Sequence, residues 1–281
     1  MADIAWNNDP ENYLDVAGSK LEYACYGPPP SEAPTIVMLH EGLGCVALWR
    51  GFPERLAKAT GYGVFVYSRA GYGKSYDAML PRPIDYMAVE AMDVLPKVLD
   101  AIDFRKGVLL GHSDGATIAA IHFAFTNRYE LRGIIMMAPH FFAEKSGIEA
   151  IAKIKQVYEN GDLKDKLSKY HTNVDTAFYG WSEAWLNPDF HEWNVADAID
   201  HWRLPVLAIQ GRDDEYGTLA QIEEIENRIY SPAEIAIYDN CGHSPHFDKP
   251  EETLNAIVDF LETLDRIEAE EVSTSRSMQA T

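Results

Sequence analysis

The sequence predicts an α/β protein in which a mostly parallel central sheet is covered by helices on both faces. Short apolar runs of strand length alternate with segments of helical period, which is the pattern of a parallel sheet. One of these runs leads through an abrupt, glycine-flanked turn into a helix. The alternation is interrupted once, by a long stretch of helical period. With 281 residues, the chain has the length of one large α/β domain or of two small ones.

The composition excludes several classes of partner. A net charge of −20 argues against nucleic acid, because binding a polyanion requires clustered lysine and arginine. The N-terminus lacks the features of a secretory signal, and no apolar run approaches the ~20 residues that span a bilayer. Cys25, Cys45 and Cys241 are odd in number and lack C-x-x-C spacing, which indicates free thiols in a reducing compartment. We therefore expect a cytoplasmic protein without a membrane partner, and a homodimer is compatible with the sequence.

The first half of the chain is predicted to contain five strands. Two short antiparallel strands, at residues 13–17 and 20–26, flank a Gly18-Ser19 turn, and three prolines end the second strand because proline cannot donate to a ladder. Uninterrupted apolar runs then predict buried parallel strands at residues 35–39, 64–67 and 108–111. Apolar residues at helical period predict helices at 47–60, at 84–102 with a kink at Pro96, and at 116–125.

The second half is predicted to hold an insertion between strands. A buried strand at residues 133–138 is followed by residues 140–202, which show helical periods, no strand pattern and many aromatic residues. Strands at 206–210 and 234–238 and helices at 219–228 and 251–267 then restore the alternation. The predicted domains are a core of residues 1–139 and 203–267, a helical cap or lid of residues 140–202, and a flexible C-terminal tail of residues 268–281.

The segment Gly111-His112-Ser113-Asp114-Gly115 joins a predicted strand to a predicted helix. A serine between two glycines in this context is typical of a nucleophile held in a strained backbone conformation, with its hydroxyl lifted clear of the sheet. We expect glycine at 111 and 115 because a Cβ atom there would collide with a neighbouring strand or helix. The alternative is a serine that merely occupies a tight turn.

Two loops at other strand ends carry the residue types that activate a serine. A hydroxyl needs an adjacent base, and the base needs a carboxylate that holds its tautomer. Parallel strands bring their carboxyl ends to one edge of the sheet, so these loops should converge on the serine. One loop carries the acids Asp213, Asp214 and Glu215, and the other carries the histidines His243 and His246. With the serine first, the chain order is serine, acid, histidine, which is the order this kind of fold uses.

The chain resembles the α/β-hydrolase superfamily over roughly residues 10–265. The resemblance is carried by these motifs, by the loop from His40 to Gly44 and by the segment from Arg69 to Ser75. Within the superfamily, the chain is similar to the capped, esterase-like bacterial serine hydrolases. The resemblance implies the corresponding fold, with an inserted helical lid.

The resemblance also implies a catalytic triad. Ser113 would be the nucleophile, and His243 the general base because a glycine precedes it, with His246 as the competing histidine. Asp214, three residues after the strand-end glycine, would be the acid, with Asp213 and Glu215 as alternatives.

The oxyanion hole implied by the resemblance uses the backbone N–H groups of Asp114 and Gly42, with Leu43 as the alternative to Gly42. The loop departs from the commoner family pattern, in which glycine follows the loop histidine, because Glu41 stands there. A carboxylate aimed at the hole would repel an oxyanion. We therefore expect the side chains of Glu41 and Asp114 to point away or to bond a neighbouring loop.

A pocket over the serine should be lined partly by aromatic residues of the cap, although most of these are expected to pack between cap and core. The candidates for substrate contact are Leu43, Phe141, Trp181 and Trp185. The spacing His243-x-x-His246-x-Asp248 has no supporting ligand cluster, so we expect neither a metal nor a cofactor. An aspartate nucleophile, as in related dehalogenases and epoxide hydrolases, is excluded by Ser113 unless Asp114 takes that role.

The predicted function is that of a serine hydrolase that cleaves a small carboxylic ester through an acyl-enzyme on Ser113. The same triad also cleaves amides, lactones, thioesters and, in some family members, carbon–carbon bonds, and these alternatives stay open. A small-molecule receptor with slow turnover is the alternative from another class. The only predicted partner is a small, ester-like substrate.

Overall fold

Eight strands form one sheet in the computed structural model, which describes residues 4–16, 18–76, 78–126 and 130–279, with side chains to residue 270. Ala17 of the first predicted strand and residues 280–281 of the predicted tail lie outside the described residues. The strands are β1 (Tyr13–Val16), β2 (Ser19–Tyr26), β3 (Thr35–Leu39), β4 (Gly63–Tyr67), β5 (Gly107–His112), β6 (Leu131–Met137), β7 (Val206–Gly211) and β8 (Ala233–Tyr238).

The sheet is mostly parallel, as predicted. Its spatial order is β1-β2-β4-β3-β5-β6-β7-β8, in which β1 and β2 run antiparallel to their neighbours and the strands from β4 to β8 pair in parallel. The carboxyl ends of β3, β5, β7 and β8 therefore lie at one edge of the sheet, where α/β proteins bind their ligands.

Helices connect the strands. They are α1 (Phe52–Thr60), α2 (Tyr86–Val89), α3 (Leu95–Ala101), α4 (Asp114–Phe125), α5 (Lys145–Asn160), α6 (Leu163–Leu167), α7 (Val174–Trp185), α8 (Ala220–Arg228), α9 (Pro245–Asp248) and α10 (Pro250–Gln279). Short 3₁₀ segments lie at Val46–Trp49, Pro188–Glu192 and Ala196–His201, and a π-helical segment lies at Glu90–Val94.

The sheet is covered on both faces because alternate residues of each strand face opposite sides. In β5, Leu109 belongs to the hydrophobic core that includes α3, α4 and α8. Its neighbours Val108 and Leu110 belong to a second core, formed with α1 and α10. This arrangement explains the uninterrupted apolar runs in the sequence, and it confirms the predicted architecture.

Three helices differ from the sequence prediction. The predicted helix 47–60 is divided by Arg50, which has a φ of 52°, into the 3₁₀ segment and α1. In the predicted helix 84–102, the N–H of Leu95 bonds the Glu90 carbonyl, which widens the helix into a π segment just before Pro96, where no N–H exists to donate. The last helix, α10, continues to Gln279 instead of ending at residue 267.

The insertion between β6 and β7, called the helical insertion below, comprises residues 140–202. It contains α5, α6, α7 and two 3₁₀ segments, and an isolated β-bridge joins Phe142 to Asn194. None of the described helices has the length and apolar character needed to cross a membrane. The three cysteines are buried and free.

Candidate active site

Ser113 lies on a strained turn between β5 and α4. Its backbone φ is 54°, in the left-handed region that non-glycine residues rarely adopt, and its N–H donates to the carbonyl of Met137 on β6. A Cβ atom on Gly111 would lie 2.2 Å from the carbonyl oxygen of Gly115, and one on Gly115 would lie 2.1 Å from that of Leu39. Both glycines are therefore required by close backbone contacts, which is the reason expected from the sequence.

Asp214 and His243 form a hydrogen bond across two loops. The Nδ1 atom of His243 lies 2.8 Å from Oδ2 of Asp214. Gln210 donates to the same carboxyl oxygen at 2.8 Å, and the N–H of Tyr216 donates to Oδ1 at 2.8 Å. The carboxylate of Asp214 is thus fixed by donors on both oxygens, and it accepts the Nδ1–H of the imidazole.

These contacts keep Asp214 ionised. Burial raises the pKa of Asp214, but the hydrogen bond and charge of His243 and the N–H of Tyr216 outweigh burial and lower the pKa to about 2. The alternative acids occupy other positions. Asp213 is exposed and Glu215 lines the cavity described below, whereas Asp214 accepts the hydrogen bond from His243.

His246, the alternative base, lies beneath the site. Its ring is buried against Trp49 and Phe52, with ring centroids 5.1 and 5.4 Å away. Burial, reinforced by His112, lowers the pKa of His246 to about 3. His246 therefore has the environment of a neutral, packed histidine.

A cavity of about 450 Å³ opens over Ser113 and His243. Trp181 and Trp185 of α7 form part of its wall, so the helical insertion and the core share it. The remaining described residues that line it are Glu41, Gly42, Leu43, Asp114, His140, Ile151, Glu215, Tyr216, Gly242, Ser244 and Asp248.

The structure separates Phe141 from the other predicted substrate contacts. Leu43, Trp181 and Trp185 line the cavity, whereas Phe141 is fully buried and packs edge-on against Trp202 at 5.8 Å. The expectation for Phe141 is thus corrected, because its backbone N–H is held by Gln221 and its ring fills the core.

The loop after β3 is held by a buried arginine. The guanidinium of Arg69 donates to the carbonyl oxygens of His40 and Glu41, and its backbone N–H donates to Nε2 of His40 at 3.0 Å. Burial and the charge of Arg69 hold the pKa of His40 well below its usual value, so the ring is neutral and donates from Nδ1 to the Glu41 carbonyl. These bonds fix the backbone of the loop that carries Gly42.

The carboxylate of Asp114 is engaged with three other side chains. The hydroxyl of Tyr86 donates to Oδ2, Nε1 of Trp185 donates to Oδ1 at 3.3 Å, and the guanidinium of Arg69 lies 3.9 Å away. Burial raises the pKa of Asp114 against the opposing effects of Arg69 and Tyr86. These contacts tie α7 of the insertion to the first residue of α4.

Glu41 lies beside His112, the residue that precedes Ser113. Its Oε2 is 3.6 Å from Nδ1 of His112. Burial raises the pKa of Glu41, but the effect of His112 outweighs burial, with a smaller contribution from His40. The pKa of Glu41 is therefore held well below its usual value. The carboxylate is therefore charged, and a Cβ atom on Gly44 would meet it at 2.3 Å.

Several residues of the site were assigned no role in the sequence analysis. Arg69, Tyr86, His112 and Tyr216 are placed by long-range contacts that periodicity does not reveal. His140 lines the cavity with its ring centroid 5.6 Å from that of His243, and burial together with the charge of His243 lowers the pKa of His140 to about 3. Its position directly after Pro139, where β6 has ended, is the one feature that could have indicated it. Within the described ranges, no group of three or more histidine, cysteine or acidic residues is arranged to hold a metal ion.

Comparison with known proteins gives consistent results. A family model described as the alpha/beta hydrolase family matches residues 36–256. The proline iminopeptidase of Heyndrickxia coagulans is 23% identical over 296 residues, covering 90% of this chain and 99% of that protein. The 2-hydroxy-6-oxo-6-phenylhexa-2,4-dienoate hydrolase of Comamonas testosteroni is 22% identical over 257 residues, covering 82% and 88%. A carboxylesterase structure from Nitrososphaera gargenis shares the fold with a TM-score of 0.74, at 18% identity and with 90% and 99% of the two chains covered.

Proposed function

Because the chain belongs to the alpha/beta hydrolase family, we propose that it is a serine hydrolase that cleaves a small carboxylic ester through an acyl-enzyme on Ser113. The observation that supports this proposal most directly is that Ser113, on its strained turn, and His243, which is hydrogen-bonded to Asp214, border one cavity. A nucleophile, a base and an orienting carboxylate are the parts that acyl transfer needs.

The proposed reaction begins with proton transfer from Ser113 to Nε2 of His243. The serine oxygen forms a bond to the carbonyl carbon, and the carbonyl electron pair moves to its oxygen. Asp214 keeps the Nδ1 proton in place and stabilises the imidazolium. Collapse of the tetrahedral intermediate breaks the bond to the alcohol, which takes the proton from Nε2. Water, activated by His243, then releases the acid and restores Ser113.

The developing oxyanion would be stabilised by backbone N–H groups. Asp114 begins α4, so its N–H is one of the orphan donors of a helix N-terminus. Gly42 lines the cavity on a loop whose backbone Arg69 holds. The carboxylate of Asp114 accepts hydrogen bonds from Tyr86 and Trp185, which supports a side chain directed away from the oxyanion.

The type of bond that is cleaved, ester, amide or carbon–carbon, is a separate part of the proposal. The relatives named above include a peptidase and a dienoate hydrolase, so amide and carbon–carbon bonds belong in any substrate panel. None of the described residues that line the cavity is a lysine or arginine, whereas four are acids. This lining favours an uncharged ester over a carboxylate substrate such as a dienoate.

Covalent labelling tests the proposed nucleophile. A fluorophosphonate probe should modify Ser113, identified by mass spectrometry of the labelled peptide, and labelling should be lost in Ser113→Ala and in His243→Ala. Heat-denatured protein is the control. Turnover of a p-nitrophenyl ester above about one per second, ordinary for an enzyme, would separate a hydrolase from a slow receptor. A wild-type protein that is neither labelled nor active on esters, lactones and amides would overturn the proposal.

We also propose a cytoplasmic location, which three buried free thiols support because such thiols persist in a reducing compartment. Fractionation of the source cells would contradict this if the protein were recovered outside the cytoplasmic fraction.

A further inference from the structure

Two tryptophans of α7 line the cavity, and their indole N–H groups have different environments. Nε1 of Trp185 donates to Tyr86 at 3.1 Å and to Asp114 at 3.3 Å. Trp181 is also buried, with 7% of its surface exposed, but its N–H has no hydrogen-bond partner among the side chains and backbone that the structure describes. The indole N–H of Trp185 is thus held within the protein, whereas that of Trp181, a residue of the cavity wall, is free to bond a ligand.

The Nε1 atom of Trp181 is not enclosed by protein, unlike Nε1 of Trp49, which is buried without a partner. A donor that is accessible from the cavity and makes no hydrogen bond within the described protein is available to an acceptor atom of the substrate. The acids that line the same cavity do not satisfy it, although the neighbouring Trp185 reaches Asp114.

The position of this N–H indicates which substrate atom it would meet. An ideal Cβ atom on Gly42 would lie 2.1 Å from Nε1 of Trp181 and 2.4 Å from Cδ1. The N–H edge of the indole therefore packs against the residue whose backbone N–H is the proposed second donor of the oxyanion hole. It also explains why position 42 must be glycine, since any side chain would displace the indole.

We propose that Nε1–H of Trp181 is a third donor of the oxyanion hole, supplied by the helical insertion. This inference rests on the proposed function. When Ser113 attacks, the carbonyl oxygen gains the charge of the broken π bond, and a preorganised donor beside Gly42 would stabilise that charge more strongly than the neutral carbonyl. The insertion would then take part in the chemistry as well as in forming the pocket, because the hole is complete only with α7 in place.

The test removes the N–H and preserves the ring. Site-specific replacement of Trp181 by 3-benzothienylalanine substitutes sulfur for N–H in a side chain of nearly the same shape, and Trp181→Phe is the simpler variant. With p-nitrophenyl butyrate, both should lose about 100-fold in kcat and in kcat/KM, with KM nearly unchanged, because a contact made only in the transition state is lost. Trp6→Phe, which makes the same chemical change at a residue that does not line the cavity, should retain wild-type kinetics.

A second readout distinguishes chemistry from structure. An alkyl trifluoromethyl ketone adds the Ser113 oxygen and becomes a tetrahedral oxyanion, so its affinity should fall by the same factor as kcat/KM. The inference is overturned if the benzothienyl variant keeps wild-type kcat, or if the loss lies entirely in KM, since the N–H would then bind substrate and transition state equally. Wild-type labelling and turnover, measured first, show whether a failure belongs to this inference or to the proposed function.

Discussion

His112 donates a hydrogen bond from Nε2 to the main-chain carbonyl oxygen of His243 at 2.7 Å. Its other ring nitrogen faces the carboxylate of Glu41 at 3.6 Å. The residue before Ser113 therefore contacts both the loop of the candidate base and the loop of the candidate oxyanion hole. The buried imidazole of His112 thus connects the turn at Ser113 with the loops of Glu41 and His243, which are distant in the sequence.

Replacing His112 should impair catalysis through the position of His243. His112→Phe removes the donor to the His243 carbonyl, and we expect kcat to fall about tenfold, the equivalent of one ordinary hydrogen bond, with little change in KM. His112→Gln, which retains a donor, should recover part of the loss. Steady-state kinetics with p-nitrophenyl butyrate provide the measurement. Wild-type kcat in the Phe variant would show that the bond has no role in positioning the base.

The two neighbouring aspartates should behave differently. Asp214→Asn replaces the acceptor of the His243 Nδ1–H and favours the wrong tautomer, so kcat should fall by about three to four orders of magnitude. Asp213→Asn makes the same change one residue earlier on an exposed side chain and should leave kcat unchanged. Equal losses in both variants would mean that Asp214 is not the orienting acid.

The sequence allowed the fold to be predicted and the residues of the proposed triad to be selected, because both follow from local patterns. Uninterrupted apolar runs reflect strands with a core on each side, as the two sets of contacts around Leu109 and Leu110 illustrate. Ser113 directly follows β5, Asp214 lies on the loop after β7 and His243 on the loop after β8, and parallel strands bring those ends to one edge. The Asp214–His243 contact agrees with that expectation.

The remaining features depend on packing between distant segments, which has no local signature. Arg69 reaches the His40 carbonyl across 29 positions, and Trp185 reaches Asp114 across 71. Phe141 was expected at the substrate because it is one of the aromatic residues of the predicted cap. The tertiary fold instead turns its ring into the core beside Trp202. The π segment before Pro96 was likewise not predicted. Proline has no N–H to donate, and the packing around the helix determines how the preceding turn adapts to that loss.

Buried neutral histidines should make stability fall in mild acid. The pKa of His246 is lowered to about 3 in the folded protein, below the unfolded value of about 6.5, so between these values the unfolded chain binds the extra proton. The free energy of unfolding therefore falls as pH falls, by about 2 kcal/mol between pH 7 and pH 5 for this residue. In His246→Phe, urea denaturation at the two pH values should show a correspondingly smaller loss. The exposed His191→Phe is the control, and an unchanged pH dependence in the His246 variant would contradict the assignment.

The buried carboxylate of Asp114 should depend on Tyr86 for stability. Tyr86→Phe removes the hydroxyl that donates to Oδ2 and accepts from Trp185, leaving a buried charge with fewer donors. We expect a loss of about 2 kcal/mol in the free energy of unfolding, as for hydrogen bonds to charged groups. Urea denaturation measures it, with the exposed Tyr230→Phe as control. A midpoint equal to that of the wild type would mean that Asp114 is satisfied without Tyr86.

The charge of the cavity should set substrate preference. Glu41, Asp114, Glu215 and Asp248 line it, and no described lining residue is a lysine or arginine, so an anionic ester should react about tenfold more slowly than a neutral ester of the same length. The comparison uses p-nitrophenyl butyrate, the p-nitrophenyl monoester of succinate and p-nitrophenyl 4-(trimethylammonio)butyrate. The differences in kcat/KM should shrink as salt is added, because salt screens partly exposed charges.

Glu215 is the acid best suited to test this preference, because its side chain is exposed at the cavity and is not part of the Asp214–His243 contact. Glu215→Gln should raise kcat/KM for the anionic ester several-fold relative to the neutral one, since it removes one repulsive charge and keeps the shape of the side chain. Asp213→Asn removes the same charge from the same loop outside the cavity, so it should leave the ratio unchanged. If both variants shift the ratio equally, the preference comes from the overall charge of −20 and not from the cavity.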